Sequence, residues 1–253
     1  MFVITGGGSG IGKSLALALA KRGKSVLIVG RREQLLQETA ASSASIDYLS
    51  ADITTKKGLD LIKNHLDSVS QLSALINNAG TLDPLVAVKD IQPEDWQAAL
   101  NTNLSPALFL PQMLYDKLTN GRVLNIGSGA AYFAIKGWAS YCVSKAALSM
   151  LTKCWQVESE SISFTSVMPG IIDTQMQMIA RSDLNPDYDR IGFYQRLKDC
   201  NRLVSPDTVA EFLTWLLLDV DAETYVSREW DIYDTKHHHN WLKAPHQVLH
   251  WDF

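Results

Sequence analysis

An apolar run at the very start of the chain breaks into a cluster of glycines. Phe2-Val3-Ile4-Thr5 is followed by Gly6-Gly7-Gly8-Ser9-Gly10-Ile11-Gly12, and then by a stretch over residues 11–22 in which Ile11, Leu15 and Leu19 recur with the small Ala16 and Ala20. Few folds accommodate this opening. A β-branched run reads as a strand, the glycines allow a tight turn with positive φ, and the helical spacing that follows lays an apolar face back across the strand. The same unit then recurs. Strands are expected at residues 25–29, 46–49, 73–77, 123–127, 163–168 and 229–233. Helices are expected at 32–41, 55–68 (with Thr54 or Thr55 near the cap), 93–101, 104–118, 139–160 and 206–218. Strand–helix alternation of this kind specifies an α/β domain, a parallel sheet with helices on both faces. The strands read as continuous apolar runs, as strands buried on both sides do. Ligands in such sheets bind beyond the carboxyl ends of the strands, so chemistry is to be sought just after each strand.

The first such place is the glycine loop. Gly6, Gly8, Ser9, Gly10 and Ile11 sit between strand and helix, where backbone N–H groups can approach a phosphate closely. The spacing Gly6, Gly10, Gly12 is not a strict GxGxxG, but its position between a first strand and a first helix predicts pyrophosphate binding. Strand two ends at Val29-Gly30-Arg31-Arg32. A site selecting NAD places an acidic residue there to accept from the ribose 2′-hydroxyl. None is present, and the forked guanidinium donors of Arg31 and Arg32 suit a phosphate instead. The cofactor predicted is therefore NADP(H), against the plainer reading of two arginines opening a solvated helix face.

After strand five comes Gly127-Ser128-Gly129, and thirteen residues beyond Ser128 stands Tyr141, with Lys145 at i+4. Residues four apart share a helix face. An adjacent ammonium favours phenolate and is expected to lower the tyrosine's pKa from about 10 towards neutrality. Such a tyrosine can protonate a carbonyl oxygen while hydride reaches the carbon, with Ser128 bonded to the same oxygen. Asn103, on the helix after strand four, can hold a water or backbone group that relays protons to Lys145. A YxxxK alone is weak. Here it coincides with Asn77-Asn78-Ala79-Gly80 after strand four and Met168-Pro169-Gly170 after strand six.

Taken together, TGGGSGIG at 5–12, NNAG at 77–80, Asn103, Ser128, Tyr141-Cys142-Val143-Ser144-Lys145 and PGIIDT at 169–174 resemble the short-chain dehydrogenase/reductase family. The resemblance covers residues 2–233. It implies a single Rossmann domain with a doubly wound seven-stranded sheet and a catalytic tetrad of Asn103, Ser128, Tyr141 and Lys145. It further implies adenine contacts from Asp52 and Ile53, and ribose contacts from Asn78, Ala79, Gly80, Tyr141 and Lys145. Carboxamide contacts are implied near Ile172 and Thr174, with Pro169 and Gly170 also among the cofactor contacts. It also implies a homodimer or homotetramer built on the helix at 139–160. In motif wording the chain is similar to the sepiapterin-reductase-like and benzil-reductase-like carbonyl reductases. It departs from the family before the last strand, where residues 223–228 replace the usual glycine-rich stretch.

The remaining features bound the function. The chain has 253 residues, with 23 basic against 27 acidic for a net charge of −4, which argues against nucleic acid or an anionic membrane as the main partner. Three cysteines with no CxxC fit neither a disulfide framework nor a zinc site. No apolar run reaches the length of a membrane span, and Met1-Phe2-Val3-Ile4 carries no leader signal. A cytoplasmic, metal-free enzyme acting on a small carbonyl compound is expected. Residues 171–203, polar and aromatic, are expected to overhang the strand ends as a substrate lid. Tyr132, Phe133 and Trp138 lie between Ser128 and Tyr141, where an aromatic wall for a flat or aryl ketone is expected; Ser128, Tyr132, Trp138 and Tyr141 are the predicted substrate contacts. His237-His238-His239 is expected to belong to a solvated tail over 235–253. The main activity expected is NADPH-dependent reduction of a ketone or diketone. The alternatives are reduction of a 3-oxoacyl thioester, and a non-catalytic NADP-sensing protein.

Overall fold

Strands form where the β-branched runs stand: β1 (Phe2–Thr5), β2 (Val26–Gly30), β3 (Ile46–Ser50), β4 (Ala74–Asn77), β5 (Arg122–Ile126), β6 (Ser163–Met168) and β7 (Trp230–Asp231). The computed structural model describes residues 1–250 and joins all seven into one sheet, in the order β3-β2-β1-β4-β5-β6-β7. Every pairing is parallel. Around the sheet lie α1 (Gly10–Lys21), α2 (Glu33–Ala40), α3 (Lys56–His65), α4 (Pro93–Asn103), α5 (Ser105–Met113), α6 (Ala139–Glu158), α7 (Gln175–Ala180), α8 (Tyr188–Asp199), α9 (Pro206–Leu218), α10 (Ala222–Val226) and α11 (His238–Trp241). This is a doubly wound Rossmann fold. The order reverses between β1 and β4, which opens the ligand crevice above β1.

The pleat sorts the strand residues between two cores. Ile4, Ile28 and Ile76, in register across β1, β2 and β4, meet Leu15 and Leu19 of α1 and Phe212 and Leu213 of α9. Their alternates Val3, Leu27 and Leu75 meet Ile62 of α3 and Leu110 of α5 on the other face. Burying each such side chain contributes roughly 1.5–3 kcal/mol. Helix starts carry side-chain caps where the sequence supplies them. Thr55 accepts from Gly58 N at 3.0 Å and Ser205 from Thr208 N at 3.1 Å, each removing one unpaired donor. Val143, Met150 and Val157, spaced by seven along α6, are exposed.

Three expected elements come out differently. The helix expected at 104–118 is shorter. Pro106 lacks an N–H and crowds the carbonyl of residue 102, so α4 runs on to Asn103 and breaks at Leu104, where ψ is −54° and φ −124°. α5 then ends at Met113, and a short 3₁₀ turn covers Asp116–Leu118. The last strand is two residues rather than 229–233. Asp231 turns the chain, its carboxylate accepting from Tyr233 N at 3.0 Å and its carbonyl from Asp234 N at 3.0 Å.

The third difference is the tail. His237 is not solvated but 3% exposed. Its ring stacks on Phe212 at 5.1 Å and Trp215 at 5.5 Å. Trp241 Nε1 donates to His237 Nδ1 at 2.9 Å, so Nε2 carries the proton and donates to the Asp231 carbonyl at 2.9 Å. The tail expected to be free over 235–253 therefore packs on α9 as far as it is described; Trp251, Asp252 and Phe253 lie outside the described residues. Among the described residues no helix is long and apolar enough to cross a membrane.

Candidate active site

One cavity of about 740 Å³ opens along the carboxyl ends of the strands. Its far end is the glycine loop. Gly6 and Gly10 hold φ of +70° and +53°, and a Cβ on Gly12 would meet the Gly6 carbonyl at 2.4 Å, so glycine is required there. The cradle is locked from below. Thr5 Oγ1 accepts from the backbone N–H of Asn78 and Ala79 at 3.0 and 3.1 Å, while Asn78 Nδ2 donates to the Thr5 carbonyl at 2.8 Å. The Asn78 side chain, expected at a ribose, thus ties β1 to the chain after β4, although the residue still lines the cavity.

Arg31 and Arg32 stand exposed at the rim beyond β2. Arg32 is already anchored, donating to Ser9 Oγ at 2.8 Å and to Gln175 Oε1 at 3.2 Å. Asp52 lies beside Arg31. Burial tends to raise its carboxyl, but the N–H and hydroxyl of Thr54, with the field of Arg31, win and hold it below its ordinary value. Ile53, Ala79, Gly80, Pro169, Gly170, Ile172 and Thr174 complete this half. All the predicted cofactor residues line the same cavity.

Tyr141 and Lys145 line the same cavity. Tyr141 is 7% exposed and Lys145 5%, one turn apart on α6. Lys145 Nζ lies 5.6 Å from the Tyr141 ring centroid and donates to the Ile126 carbonyl at 2.7 Å. Burial dominates both groups. It pushes the Tyr141 phenol up, with Ser128 against the hydroxyl offsetting part of the rise, and lowers Lys145 to about 8. The lowered tyrosine expected from the pairing is thus reversed: the ammonium is spent on a backbone carbonyl, and desolvation of the phenol prevails. Asn103 makes no hydrogen bond to Lys145 and holds backbone instead. Its Oδ1 accepts from Thr81 N at 2.8 Å, and its Nδ2 donates to the Thr81 carbonyl at 3.0 Å and to Ser144 Oγ at 3.1 Å, which ties α4 to α6 behind the site.

The near end is apolar and aromatic. Leu82, Ile135, Trp138, Met176, Ile179, Phe193 and Tyr194 line it. Trp138 packs edge-on to Tyr141 at 5.8 Å and donates to Asn185 at 3.1 Å, which joins the wall to the lid. Tyr132 is a correction. The 3₁₀ turn Gly129–Ala131 swings it away from the cavity, where its hydroxyl bonds Ser149 at 2.9 Å and the carboxylate of Glu229. Phe133 faces the cavity instead. Residues 171–203 contain α7 and α8, from which Met176, Ile179, Phe193 and Tyr194 line the cavity. Their base is pinned by the bridge between Ile172 and Val204 and by Asp173, whose carboxylate takes Lys198 at 2.5 Å and Arg181 at 3.7 Å. Sequence reasoning missed Gln177, whose buried Oε1 has no partner among the described residues and which lines the cavity beside Thr174. Its one-turn offset from Thr174 was the available signal.

A cavity with a glycine cradle at the switch point and a buried phenol and ammonium in its lining divides dinucleotide from substrate as nicotinamide oxidoreductases do. The family of short chain dehydrogenases matches over residues 1–185, and the chain belongs to it. It is 30% identical to benzil reductase ((S)-benzoin forming) of Bacillus subtilis over 226 residues, 86% of this chain and 93% of that protein. It is 31% identical to an uncharacterized oxidoreductase of Schizosaccharomyces pombe over 226 residues, 87% and 91% of the two chains. A crystal structure of a short chain dehydrogenase/reductase from Saccharomyces cerevisiae superimposes with a TM-score of 0.86 at 26% identity, covering 92% of this chain and 96% of that one.

Proposed function

We propose that this oxidoreductase reduces an aryl ketone or diketone to the alcohol with NADPH, Tyr141 acting as general acid. The observation that carries the reading is the placement of Tyr141. Its hydroxyl meets Ser128 at the neck between an arginine-rimmed cradle and an aromatic chamber. The cradle fits a dinucleotide: glycines stand where a Cβ would strike backbone, and Arg31 and Arg32 replace the acidic residue that favours NAD. The benzil reductase relatives support an aryl substrate.

The nicotinamide, when bound, supplies hydride to the carbonyl carbon. Ser128 Oγ holds the carbonyl oxygen, and Tyr141 delivers the proton to it. Burial keeps the phenol protonated at neutral pH, which is the form a proton donor needs. Lys145, which keeps N–H donors beyond the one given to Ile126, would hold the ribose of a bound cofactor and steady charge as the proton leaves. Leu82, Ile135 and Trp138, all buried, exclude water. A 3-oxoacyl carrier protein fits less well, since Arg181 and Lys198 share the single carboxylate of Asp173 and Arg190 turns into the cavity.

The test is a panel of ketones, diketones and acyl thioesters assayed by NADPH and NADH absorbance. Aryl diketones with NADPH are expected to lead. Tyr141→Phe is expected to lower kcat by about 10²–10⁴ and leave NADPH affinity nearly unchanged. Near-wild-type turnover in that variant overturns the mechanism, equal use of the two cofactors overturns the cofactor preference, and absence of turnover on every carbonyl favours a sensing protein.

A further inference from the structure

One charged side chain stands among the aromatic residues of the cavity's substrate end. The charged groups lining the cavity are Arg31, Arg32, Asp52, Lys145, Arg190 and Asp231. The first three sit at the cofactor rim, Lys145 donates to Ile126, and the Asp231 carboxylate accepts from Tyr233 N. Arg190, in the first turn of the lid helix α8, stands among the aromatic residues. Its guanidinium carbon lies 5.9 Å from the Phe133 and Phe193 ring centroids and 6.0 Å from that of Tyr194. The backbone N–H of Arg190 is satisfied by the Asp187 cap at 3.0 Å. The side chain itself makes no hydrogen bond or ion pair with any described residue.

A guanidinium packed against rings uses its face and leaves its in-plane N–H donors for a planar acceptor. Placed in an apolar chamber with no carboxylate of its own, it is a fixed positive charge facing the substrate. We propose that Arg190 is the specificity-determining residue of this pocket. It selects carbonyl compounds that carry a carboxylate on an aromatic frame, the carboxylate taking the guanidinium edge while the carbonyl lies at Ser128 and Tyr141. Aromatic side chains run from one group to the other. Phe133, which contacts Arg190, also lies 3.3 Å from the Cβ position of Gly129, next to Ser128, and Tyr194 leads through Trp138 at 6.1 Å to Tyr141 at 5.8 Å. The carboxylate takes no part in the transfer: hydride goes from NADPH to the carbonyl carbon, the proton goes to its oxygen, and NADP⁺ leaves.

The inference rests on the carbonyl-reductase reading, and the test separates the two. Benzil bearing a 4-carboxylate and the methyl ester of the same compound differ in charge and little in shape. The wild type is expected to favour the acid by roughly ten- to a hundredfold in kcat/KM, as one charge-assisted bidentate contact gives. Its KM for the acid alone should rise with salt. Arg190→Leu is expected to erase that preference through KM, leaving kcat for the ester within about threefold, and Arg190→Lys to keep part of it. NADPH affinity serves as the folding control, since Arg190 stands away from the cradle. Equal treatment of acid and ester by the wild type, or loss of both in Arg190→Leu with NADPH affinity intact, overturns the inference while leaving the reductase standing. If no carbonyl is turned over, the reductase reading falls. Calorimetric binding of the two compounds to the NADP⁺-loaded protein then decides on Arg190: tighter acid binding lost in Arg190→Leu supports it, and equal binding overturns it.

Discussion

Burial holds the Lys145 ammonium at about 8 against an ordinary 10.5, with the Ile126 carbonyl at 2.7 Å as its compensation. The folded value lies below the unfolded one, so between these limits the unfolded chain binds the proton and the folded one does not. Stability therefore rises with pH across that window, and the full penalty is present below about pH 8. At 1.4 kcal/mol per unit this amounts to about 3 kcal/mol, less about 1 for the hydrogen bond. Lys145→Met is thus expected to raise the Tm of the cofactor-free protein by about 4–8 °C at pH 7 while abolishing turnover, and the gain should vanish by pH 10.5. Thermal unfolding at the two pH values checks this; a less stable variant at pH 7 refutes it. The position of this residue was legible from its spacing to Tyr141, but the sign of the tyrosine's shift was not. Spacing tells which groups are neighbours, and desolvation depends on the whole shell. Tyr132 shows the same limit. Between a strand and a helix no period says which of two adjacent aromatics points inward, and the 3₁₀ turn chose Phe133.

At the scale of elements, alternation and glycine placement were enough to locate the sheet, because each strand must be apolar on both faces and each crossover must return. The break in α4, the two-residue β7 and the helices of the lid were not legible in the same way, being set by single contacts. The lid's seat is one of them. Gly137 has φ +78°, and a Cβ there would lie 2.1 Å from Pro186 Cγ. Next to it, Trp138 is bonded to Asn185. Gly137→Ala must therefore push residues 185–186 off the aromatic wall or strain its own backbone. The expected result is a five- to fiftyfold loss of kcat/KM for the substrate, about 1–3 kcal/mol at the barrier, with NADPH affinity preserved because the cradle lies at the other end. Hydrogen exchange over residues 171–203 should rise in the variant. A Gly137→Ala enzyme with wild-type kcat/KM shows that the lid does not need this seat.

In the whole molecule the tail packs on α9, and there the reading of a solvated histidine run fails at His237, although His239 is exposed, because burial of a polar ring is decided by partners far away in sequence. Phe212 and Trp215 on α9, Trp230 on β7 and Trp241 on α11 surround His237. Both ring nitrogens are used, Nδ1 as acceptor from Trp241 and Nε2 as donor to Asp231. This arrangement exists only for the neutral ring. A proton on Nδ1 would face the Trp241 N–H and displace it. Burial accordingly lowers His237 below its ordinary value, aided by His238 and Arg228 and opposed by the Asp231 carbonyl and Asp234. The sign follows from the direction. Above the unfolded value of about 6.5 both states are neutral and the tail's contribution is complete. As pH falls below it, the unfolded chain takes up a proton that the folded chain refuses, and stability is lost. Asp231 and Tyr233 line the cavity, and the Tyr233 hydroxyl accepts from Ile171 N at 3.1 Å at the root of the lid, so loosening the tail also loosens the site. Between pH 7.5 and 5.5 the wild type is expected to lose about 2–4 °C more in Tm than His237→Phe, the value of one hydrogen bond in a chain of this size. Thermal unfolding followed by tryptophan emission measures it. Parallel pH dependence in the two proteins would remove His237 as the group that couples the tail to acid.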